Sequence, residues 1–173
     1  MSFSEFLAEV KQTGLAKNNR FVVSIDGAGG YADNNNDFRK ILLFCESAQL
    51  PGQSLATVPN RTFGELRETP YDRLYEPVTL NFYVDRAMHV KYYFDKWMDS
   101  MYNPATRKFS YYSDYTYDIT IDVLDLQNNT NYRVALFEAY PKSVSAVALD
   151  QNNKDIMKLS VTFQYKNWTS QPL

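Results

Sequence analysis

The sequence predicts a mainly β fold of the α+β class, an antiparallel sandwich or barrel with one main helix packed on it. Apolar and polar residues alternate in segments 78–84, 117–124 and 157–166, which gives each strand one buried face, as in antiparallel sheets. Predicted helices are few and do not alternate with the strands, which argues against a parallel sheet. The 14 tyrosines and 11 phenylalanines also favour strands.

The chain has 173 residues, of which 45% are hydrophobic and 22% are charged. These values are typical of globular proteins and exclude a wholly disordered chain. A chain of this length can bury a core of its own. Residues 1–173 are therefore predicted to form a single domain.

Residues 3–13 are predicted to form a short amphipathic helix, within an N-terminal helical segment 1–14. The i, i+3, i+4, i+7 spacing of one helical face is occupied by Phe3, Phe6, Leu7 and Val10. Ser2 and Glu5 match a capping box, and Gly14 is suited to end the helix. Because so short a helix is marginal in isolation, its apolar face must dock on this chain or on a neighbour.

Strands are predicted at residues 20–25 and 39–46, joined by a flexible, polar surface loop. The loop opens with the glycine-rich segment Gly27–Gly30, which is a feature of phosphate-binding loops. No GK[ST] motif follows it and no helix is predicted after it, so phosphate binding is disfavoured. Asp33–Asp37 offers oxygen ligands for calcium but lacks the central Gly and terminal Glu of an EF-hand. A solvated turn is the favoured interpretation.

Residues 53–76 are predicted to form an extended arm or a long hairpin. The surrounding segment 47–77 contains four prolines and few apolar residues, so it cannot form a core alone. Arginines and acidic residues alternate along it. Long segments without their own core are usually functional or packed on a partner.

The second half of the chain is predicted to hold the main helix and most of the strands. The helix covers 86–102, capped by Asp85 and ended by Asn103-Pro104. Its apolar stripe is Val90, Phe94, Trp97, Met98 and Met101. Strands are predicted at 78–84, 117–124, 131–139, 143–149 and 157–166. The Tyr-dense segment 109–117 is interpreted as core or interface rather than as a stacking platform for single-stranded nucleic acid.

The charge balance disfavours two classes of partner. Eighteen basic and 20 acidic side chains give a formal net charge of −2, which argues against a basic nucleic-acid-binding domain and a polybasic membrane anchor. No segment approaches 18 successive apolar residues, and the N-terminus lacks a signal-peptide pattern. Neither membrane insertion nor secretion is predicted.

No enzymatic activity, metal site or cofactor is predicted. One cysteine, Cys45, and one histidine, His89, cannot supply a disulfide or a zinc site. Cys45 is interpreted as a small buried residue and His89 as a helix-surface residue, since no nucleophile pattern accompanies either. Asp122 and Asp125 are interpreted as ordinary outward-facing acids rather than a glycosidase pair. A β-rich enzyme or binding module with an unrecognised site remains the alternative.

Three stretches of the chain resemble a known family. They are Gly14-Leu-Ala-Lys-Asn-Asn-Arg20 leading into Phe21-Val-Val-Ser-Ile25; Cys45-Glu-Ser-Ala-Gln-Leu-Pro51-Gly52 with Pro59-Asn-Arg-Thr-Phe-Gly64; and Ala139-Tyr140-Pro141-Lys142 with Lys158-Leu-Ser-Val-Thr-Phe-Gln-Tyr165. In this order they resemble the tail tube proteins of contractile-tailed bacteriophages and the baseplate relatives that start the tube. The resemblance covers nearly the whole chain.

This resemblance implies a barrel-like sandwich of two antiparallel sheets with a flanking helix, and a structural role in the virion. Six copies would close a ring, and rings would stack into the inner tail tube, whose lumen passes double-stranded DNA during ejection. The implied partners are further copies of the chain, the tail sheath, the baseplate and the tape-measure protein. The implied location is the phage tail, after assembly in the host cytoplasm.

Two variants of this function remain open. The first is a baseplate protein that initiates the tube, which the opening helix and the Pro70-Tyr-Asp-Arg73 segment favour. The second is a type VI secretion tube protein, because that protein has the same architecture.

The resemblance also suggests roles for charged residues. The arm at 53–76 is expected to reach the next ring, where ion pairs set partner choice more than affinity. Its candidate contact residues are Arg61, Arg67, Glu68, Arg73 and Glu76. An acidic balance suits a conduit that must not hold DNA, because phosphate binding scales with Lys and Arg contacts. Asp118 and Asp122, on the exposed face of their strand, are expected to face the lumen.

Overall fold

The structure, a computed structural model, describes residues 2–32, 35–61, 64–152 and 154–172, without the side chains of 13 and 35–37. Its helices are α1 (Phe3–Thr13), α2 (Asn35–Leu43), α3 (His89–Met101) and the single turn α4 (Tyr112–Tyr115). Its strands are β1 (Phe21–Ile25), β2 (Cys45–Ala48), β3 (Gln53–Asn60), β4 (Arg67–Tyr75), β5 (Val78–Tyr83), β6 (Tyr102–Asn103), β7 (Lys108–Phe109), β8 (Tyr117–Leu124), β9 (Thr130–Val144), β10 (Lys158–Gln164) and β11 (Asn167–Pro172). A short 3-10 turn covers Ala28–Tyr31.

The main antiparallel sheet folds into two halves that share one strand. The first half has the order β1, β8, β9, β11, and the second has the order β9, β10, β5, β2. In the part of the chain that the structure describes, β3 pairs only with β4, and β6 only with β7. The mainly β, antiparallel fold class with one main helix, an N-terminal helix and an arm is therefore confirmed.

Strand β9 passes from one half to the other at a β-bulge. Tyr117 is opposite Ala139 and Ile119 is opposite Leu136, so two residues of β9 lie opposite one residue of β8. The second of them, Glu138, has φ of 52°, which is unusual for a residue with a side chain. Because bulges bend a strand and increase its twist, β9 can pair with β11 before the bulge and with β10 after it.

The core lies between the two halves and is closed by α3. The inward side chains of the strands include Val23, Ile25, Ile119, Ile121, Val134, Leu136, Val78, Leu80, Phe82, Leu159, Val161 and Phe163. From α3, Phe94 packs on Phe82 with ring centroids 4.9 Å apart, and Trp97 packs on Tyr117 at 5.6 Å. The helix therefore contacts both halves, and the indole N–H of Trp97 donates to the Tyr115 carbonyl at 2.8 Å.

The predicted strand at 39–46 is wrong, because residues Asn35–Leu43 form α2 and only Cys45–Ala48 form a strand. Phe38, Ile41 and Leu42 pack on the core. Their i, i+3, i+4 spacing is that of a helix face, although the run of apolar residues also fits a buried strand. The expectation that no helix follows Gly27–Gly30 is also wrong, because α2 begins at Asn35, within the predicted polar turn. Residues 33–34 of that turn lie outside the described residues.

The predictions for the C-terminal strands need two corrections. Residues 131–139 and 143–149 are not two strands, since β9 runs without a break through Pro141 to Val144 and residues 145–149 are not in a strand. Pro141 is tolerated because β9 is the outer strand of the second half, where a missing N–H costs no ladder bond. The predicted last strand at 157–166 ends at Gln164, and β11 follows it.

The loop at Gly27–Gly30 was expected to be flexible, and the structure instead packs it into the core. Ala28 is fully buried, and its carbonyl accepts a hydrogen bond from the Tyr93 hydroxyl at 3.2 Å. Gly27 has φ of 83°, and a Cβ there would lie 2.9 Å from the ring of Tyr117. Only glycine satisfies both constraints without strain.

Helix α1 has the predicted bounds and cap, but its apolar face docks on nothing in the described part of the chain. The Glu5 N–H donates to the Ser2 hydroxyl, and the Ser2 N–H donates to the Glu5 carboxylate, which completes the capping box. Phe3 is 75% exposed and Phe6 is 53% exposed. Of the two predicted docking surfaces, the described residues of this chain do not supply one.

Candidate subunit interface

The β3–β4 hairpin extends from the sandwich as a separate two-stranded sheet. The strands pair from Gln53 opposite Tyr75 to Asn60 opposite Arg67, with one irregularity next to Ala56. Nearly every residue of both strands is exposed. Because an isolated two-stranded hairpin is at best marginally stable in water, this geometry favours packing against another molecule.

The hairpin also exposes large apolar side chains. Leu55, Val58, Tyr71 and Leu74 are each about half exposed or more. Together with the neighbouring charged residues they form a mixed surface of the kind found in protein interfaces. Residues 62–63, at the turn of the hairpin, lie outside the described residues.

The charged residues of the hairpin differ in their contacts. Within the described ranges, the side chains of Arg67 and Arg73 form no ion pair, so the pairs Arg67–Glu68 and Arg73–Glu76 are not made inside one chain. Glu68 instead accepts a hydrogen bond from the Thr57 hydroxyl at 3.1 Å. The two guanidinium groups are thus available to carboxylates of another molecule.

The tip and the base of the hairpin are fixed by local contacts. Near the tip, Arg61 Nε donates to the Gly64 carbonyl at 3.2 Å. At the base, the Glu76 carbonyl accepts a hydrogen bond from the Tyr165 hydroxyl at 2.7 Å, and the Tyr75 and Tyr165 rings are 6.1 Å apart. Glu76 therefore lies beside the sandwich, at the opposite end of β4 from Arg67.

The two acids predicted to face a lumen lie on the outer face of β8, and each has a partner. Asp122 forms a two-point ion pair with Arg133 on β9, with N–O distances of 2.7 and 2.8 Å. Asp118 accepts the backbone N–H of Glu138 at 2.9 Å, at the β-bulge. Asp122 is therefore neutralised locally, and Asp118 has a structural contact that the sequence did not predict.

Several strand edges of the main sheet are unpaired in the described residues, and three of them belong to whole strands at its ends. These three are the outer edge of β1, the outer edge of β11 and the outer edge of β2. Exposed edges present backbone N–H and C=O groups that can pair with another chain. The sandwich thus offers backbone docking sites as well as the hairpin.

A charged cluster that sequence reasoning missed anchors the edge strand β2. Glu46 accepts hydrogen bonds from Lys158, and from Tyr83 at 2.9 Å. The hydrogen bond from Lys158 is the main cause of a lowered Glu46 pKa, and Glu46 in turn raises the pKa of Lys158 and Tyr83. No sequence signal could have found the cluster, because it depends on the pairing of Tyr83 with Lys158 across β5 and β10.

Other candidate chemical groups have structural roles. His89 Nδ1 lies 2.7 Å from Asp85 Oδ2, and Asp85 Oδ1 accepts the Val90 N–H at the start of α3. Burial raises the pKa of the Cys45 thiol to about 12, so it is protonated at neutral pH and unsuited to act as a nucleophile.

Among the described residues, no group of three His, Cys, Asp or Glu side chains is placed to hold a metal ion. No helix in the described ranges is long and apolar enough to cross a bilayer.

Solved structures with the same fold come from contractile injection systems. The chain is similar to one in a PVC extracellular contractile injection system sheath-tube complex in the extended state, with a TM-score of 0.69, 18% identity and coverage of 100% of this chain and 99% of that chain. For the tube-terminating cap of the anti-feeding prophage, the TM-score is 0.68, with 16% identity and 92% of each chain covered. For a chain of the anti-feeding prophage baseplate, the TM-score is 0.64, with 14% identity and coverage of 91% of this chain and 96% of that chain. No curated protein sequence matches the chain.

A family model gives the more specific result. The model described as phage tail tube protein matches residues 15–171. The match includes the hairpin, both halves of the sandwich and α3, and it begins two residues after the end of α1. The chain therefore belongs to the phage tail tube protein family.

Proposed function

We propose that this protein is a structural subunit of the inner tube of a contractile phage tail. Six copies form a ring, rings stack into a tube, and the lumen passes double-stranded DNA during ejection. The observation that carries the proposal is the β3–β4 hairpin, which exposes apolar and charged side chains and pairs with no other strand of the described chain. Such a hairpin is suited to a neighbouring copy in a stack.

Contacts between stacked rings are assigned to the hairpin. Arg67 and Arg73 make no ion pair within the described residues, so they are suited to acidic side chains of the next ring. The full set of proposed contact residues is Arg61, Arg67, Glu68, Arg73 and Glu76. Ion pairs at such an interface set register and partner choice more than affinity.

Contacts within a ring are assigned to the open strand edges. Head-to-tail contacts between identical subunits close into a ring when the rotation permits it, and β1, β11 and β2 offer unpaired edges in the described chain. The six-fold count is supported by the likeness in fold to a chain of the anti-feeding prophage baseplate, whose structure was 6-fold symmetrised. That likeness supports the number of subunits by analogy of fold.

The face that carries Asp118 and Asp122 is proposed to line the lumen. Since the carboxylate of Asp122 balances the positive charge of Arg133, this ion pair offers no unpaired cation to a phosphate backbone. DNA affinity grows with the number of Lys and Arg contacts to phosphates. Such a wall lets DNA pass without holding it.

The tail sheath, the baseplate and the tape-measure protein are the proposed partners, and the phage tail is the proposed location, after assembly in the host cytoplasm. No cofactor or enzymatic step is part of this function. A solved sheath-tube complex contains a chain of the same fold, which supports the sheath as a partner.

The second candidate is a baseplate or terminator protein that starts or ends the tube. The observation in its favour is that chains of a tube-terminating cap and of a baseplate have the same fold, with TM-scores of 0.68 and 0.64. A β-rich binding module is the candidate from another class. It would require a pocket with converging polar groups in a monomer.

Negative-stain electron microscopy and native mass measurement of the purified chain test the proposal. Tubes or six-membered rings are the expected result, and open-ended growth favours a main tube subunit over an initiator. A monomer that assembles only on added tail or baseplate components supports the second candidate. A monomer that stays inert with those components overturns both and favours a binding module.

A further inference from the structure

We propose that α1 of one copy docks in an apolar groove on a second copy of this chain, and so links neighbouring subunits of the tube. This inference rests on the proposed self-assembly, and it assigns an interface to a helix that precedes the residues matched by the family model. The two surfaces are the apolar face of α1 and an open part of the sandwich.

The groove, here called the seam groove, has a volume of about 540 Å³. Its apolar lining residues are Ala16, Phe21, Ala48, Leu50, Ile121, Val123 and Tyr132. They come from β1 and the segment before it, from β8 and β9, and from the end of β2 and the segment after it. The groove is therefore the part of the core that lies open between the edge strands β1 and β2.

Helix α2 shows how this seam is covered elsewhere. It contacts β1, leads directly into β2, and contributes Ile41, which is almost fully buried, together with Phe38 and Leu42. An amphipathic helix thus already closes one part of the seam. The seam groove is the part that α2 leaves open.

The face of α1 has the spacing that helix-in-groove recognition requires. Phe3, Phe6, Leu7 and Val10 stand at i, i+3, i+4 and i+7, which is the anchor pattern of that mode. Phe3, Phe6 and Leu7 are exposed to solvent, so α1 does not enter the groove of its own chain. The occupant is therefore the helix of a second copy.

The charges of the two surfaces are complementary. Helix α1 carries Glu5 and Glu9 and a single cation, Lys11. The wall of the groove carries Lys17 and Arg20. The net charges of the two surfaces are therefore opposite, which favours their association over contact between surfaces of like charge.

A small molecule fits the groove less well than a helix. Small-molecule sites combine an apolar lining with a few polar groups that converge on the ligand. The guanidinium of Arg20 is already used, since it donates to the carbonyls of Asp125 and Leu126 and to the side chain of Asn128. The remaining charged group, Lys17, is exposed.

One short helix buries too little surface to hold two free subunits together. Within a ring or a stack, however, the other contacts hold the helix at a high effective concentration beside the groove. The docking is therefore expected to strengthen an assembly formed through other surfaces. It is not expected to produce a stable dimer alone.

Disulfide trapping between two different copies tests the proposal. In a Cys45→Ala background, one chain carries Leu7→Cys and the other carries Val123→Cys, and the two are mixed under assembly conditions and oxidised. The expected result is a cross-linked pair that contains one copy of each. A matched control replaces Leu7→Cys with Gln12→Cys, on the opposite face of α1, and should cross-link much less.

Two results of this test would overturn the proposal. One is equal cross-linking from both faces of the helix. The other is a doubly substituted chain, Leu7→Cys with Val123→Cys, that cross-links only within itself at high dilution, because the helix would then occupy its own groove.

A second variant separates this inference from the proposed function. Phe6→Ser with Leu7→Ser should leave the fold intact, because both side chains are exposed, and should weaken assembly about a hundredfold. If the doubly substituted chain assembles as the unmodified chain does, the docking of α1 is wrong and the tube function stands. If the unmodified chain does not assemble with itself or with tail components, the proposed function fails first.

Discussion

The hydroxyl of Tyr165 donates a hydrogen bond of 2.7 Å to the carbonyl of Glu76. Tyr165 follows the core strand β10 and is buried, whereas Glu76 follows the last residue of the exposed hairpin. This bond ties the base of the hairpin to the sandwich. The orientation of the proposed contact surface therefore depends on a core residue.

Replacing Tyr165 with Phe should loosen the hairpin without unfolding the protein. The change removes one hydrogen bond and keeps the buried ring, so we expect a loss of about 1 kcal/mol. Hydrogen exchange should speed up at the backbone amides of β3 and β4 more than at those of β8. Tyr111→Phe, at an exposed ring, is the control, and equal exchange in both variants would contradict the role of this bond.

Reversing the charges of Arg67 and Arg73 to Glu should abolish ring stacking and leave the fold intact. Both side chains are exposed and make no ion pair in the described residues, so only contacts with another subunit are lost. Arg39→Glu with Arg86→Glu changes the net charge equally at other exposed positions. If Arg67→Glu/Arg73→Glu chains form normal tubes at moderate salt by electron microscopy, the hairpin does not carry the stacking contact.

Asp118→Ala should destabilise the β-bulge of β9. The Asp118 carboxylate accepts the N–H of Glu138, and the bulge leaves that N–H without a strand partner. We expect a loss of about 1 kcal/mol in the free energy of unfolding, measured in urea. Asp99→Ala, an exposed acid on α3, should cost less, and an equal loss in both variants would remove Asp118 from this role.

Acid should destabilise the protein in part through the turn at Asp125. Hydrogen bonds from the N–H groups of Asn129 and Gln127 hold the pKa of Asp125 below its usual value. A carboxylate with a lowered folded-state pKa stabilises the fold above its unfolded-state pKa of about 3.9, and this contribution is lost as the pH falls through the folded-state value. We therefore measure the urea midpoint of unfolding at roughly pH 6 and at roughly pH 3. The midpoint should fall less between these two values in Asp125→Asn than in the unmodified chain. An unchanged slope would contradict the assignment.

Strands with one buried face could be predicted from the sequence, whereas the exposed edge strand β11 could not. Leu80 and Phe82 in β5 and Ile119 and Ile121 in β8 are buried and alternate with polar residues, so a period of two is visible. Strand β11 is exposed at every position except Trp168, and its residues show no such period. Helix α2 was missed because a short apolar run fits a buried strand as well as a helix.

The position of the hairpin in the chain could be predicted from the sequence. The contacts made by the candidate site residues could not. Prolines and alternating charges mark the hairpin because they do not suit a core. The roles of Asp118 and Asp122 depend on which residues of β9 lie opposite them, and no local pattern encodes that register. The proposed partners of Arg67 and Arg73 belong to another copy of the chain, so the sequence and structure of one chain do not identify them.

The continuity of β9 has a mechanical consequence. Because one covalent strand is built into both halves of the sandwich, the halves cannot slide apart or melt separately without breaking the ladders on either side of Glu138. Tension applied to one half is passed to the other along the backbone rather than only through side-chain packing. The subunit should therefore yield as a single cooperative unit, a property that suits the proposed role as a wall element of a tube under mechanical load.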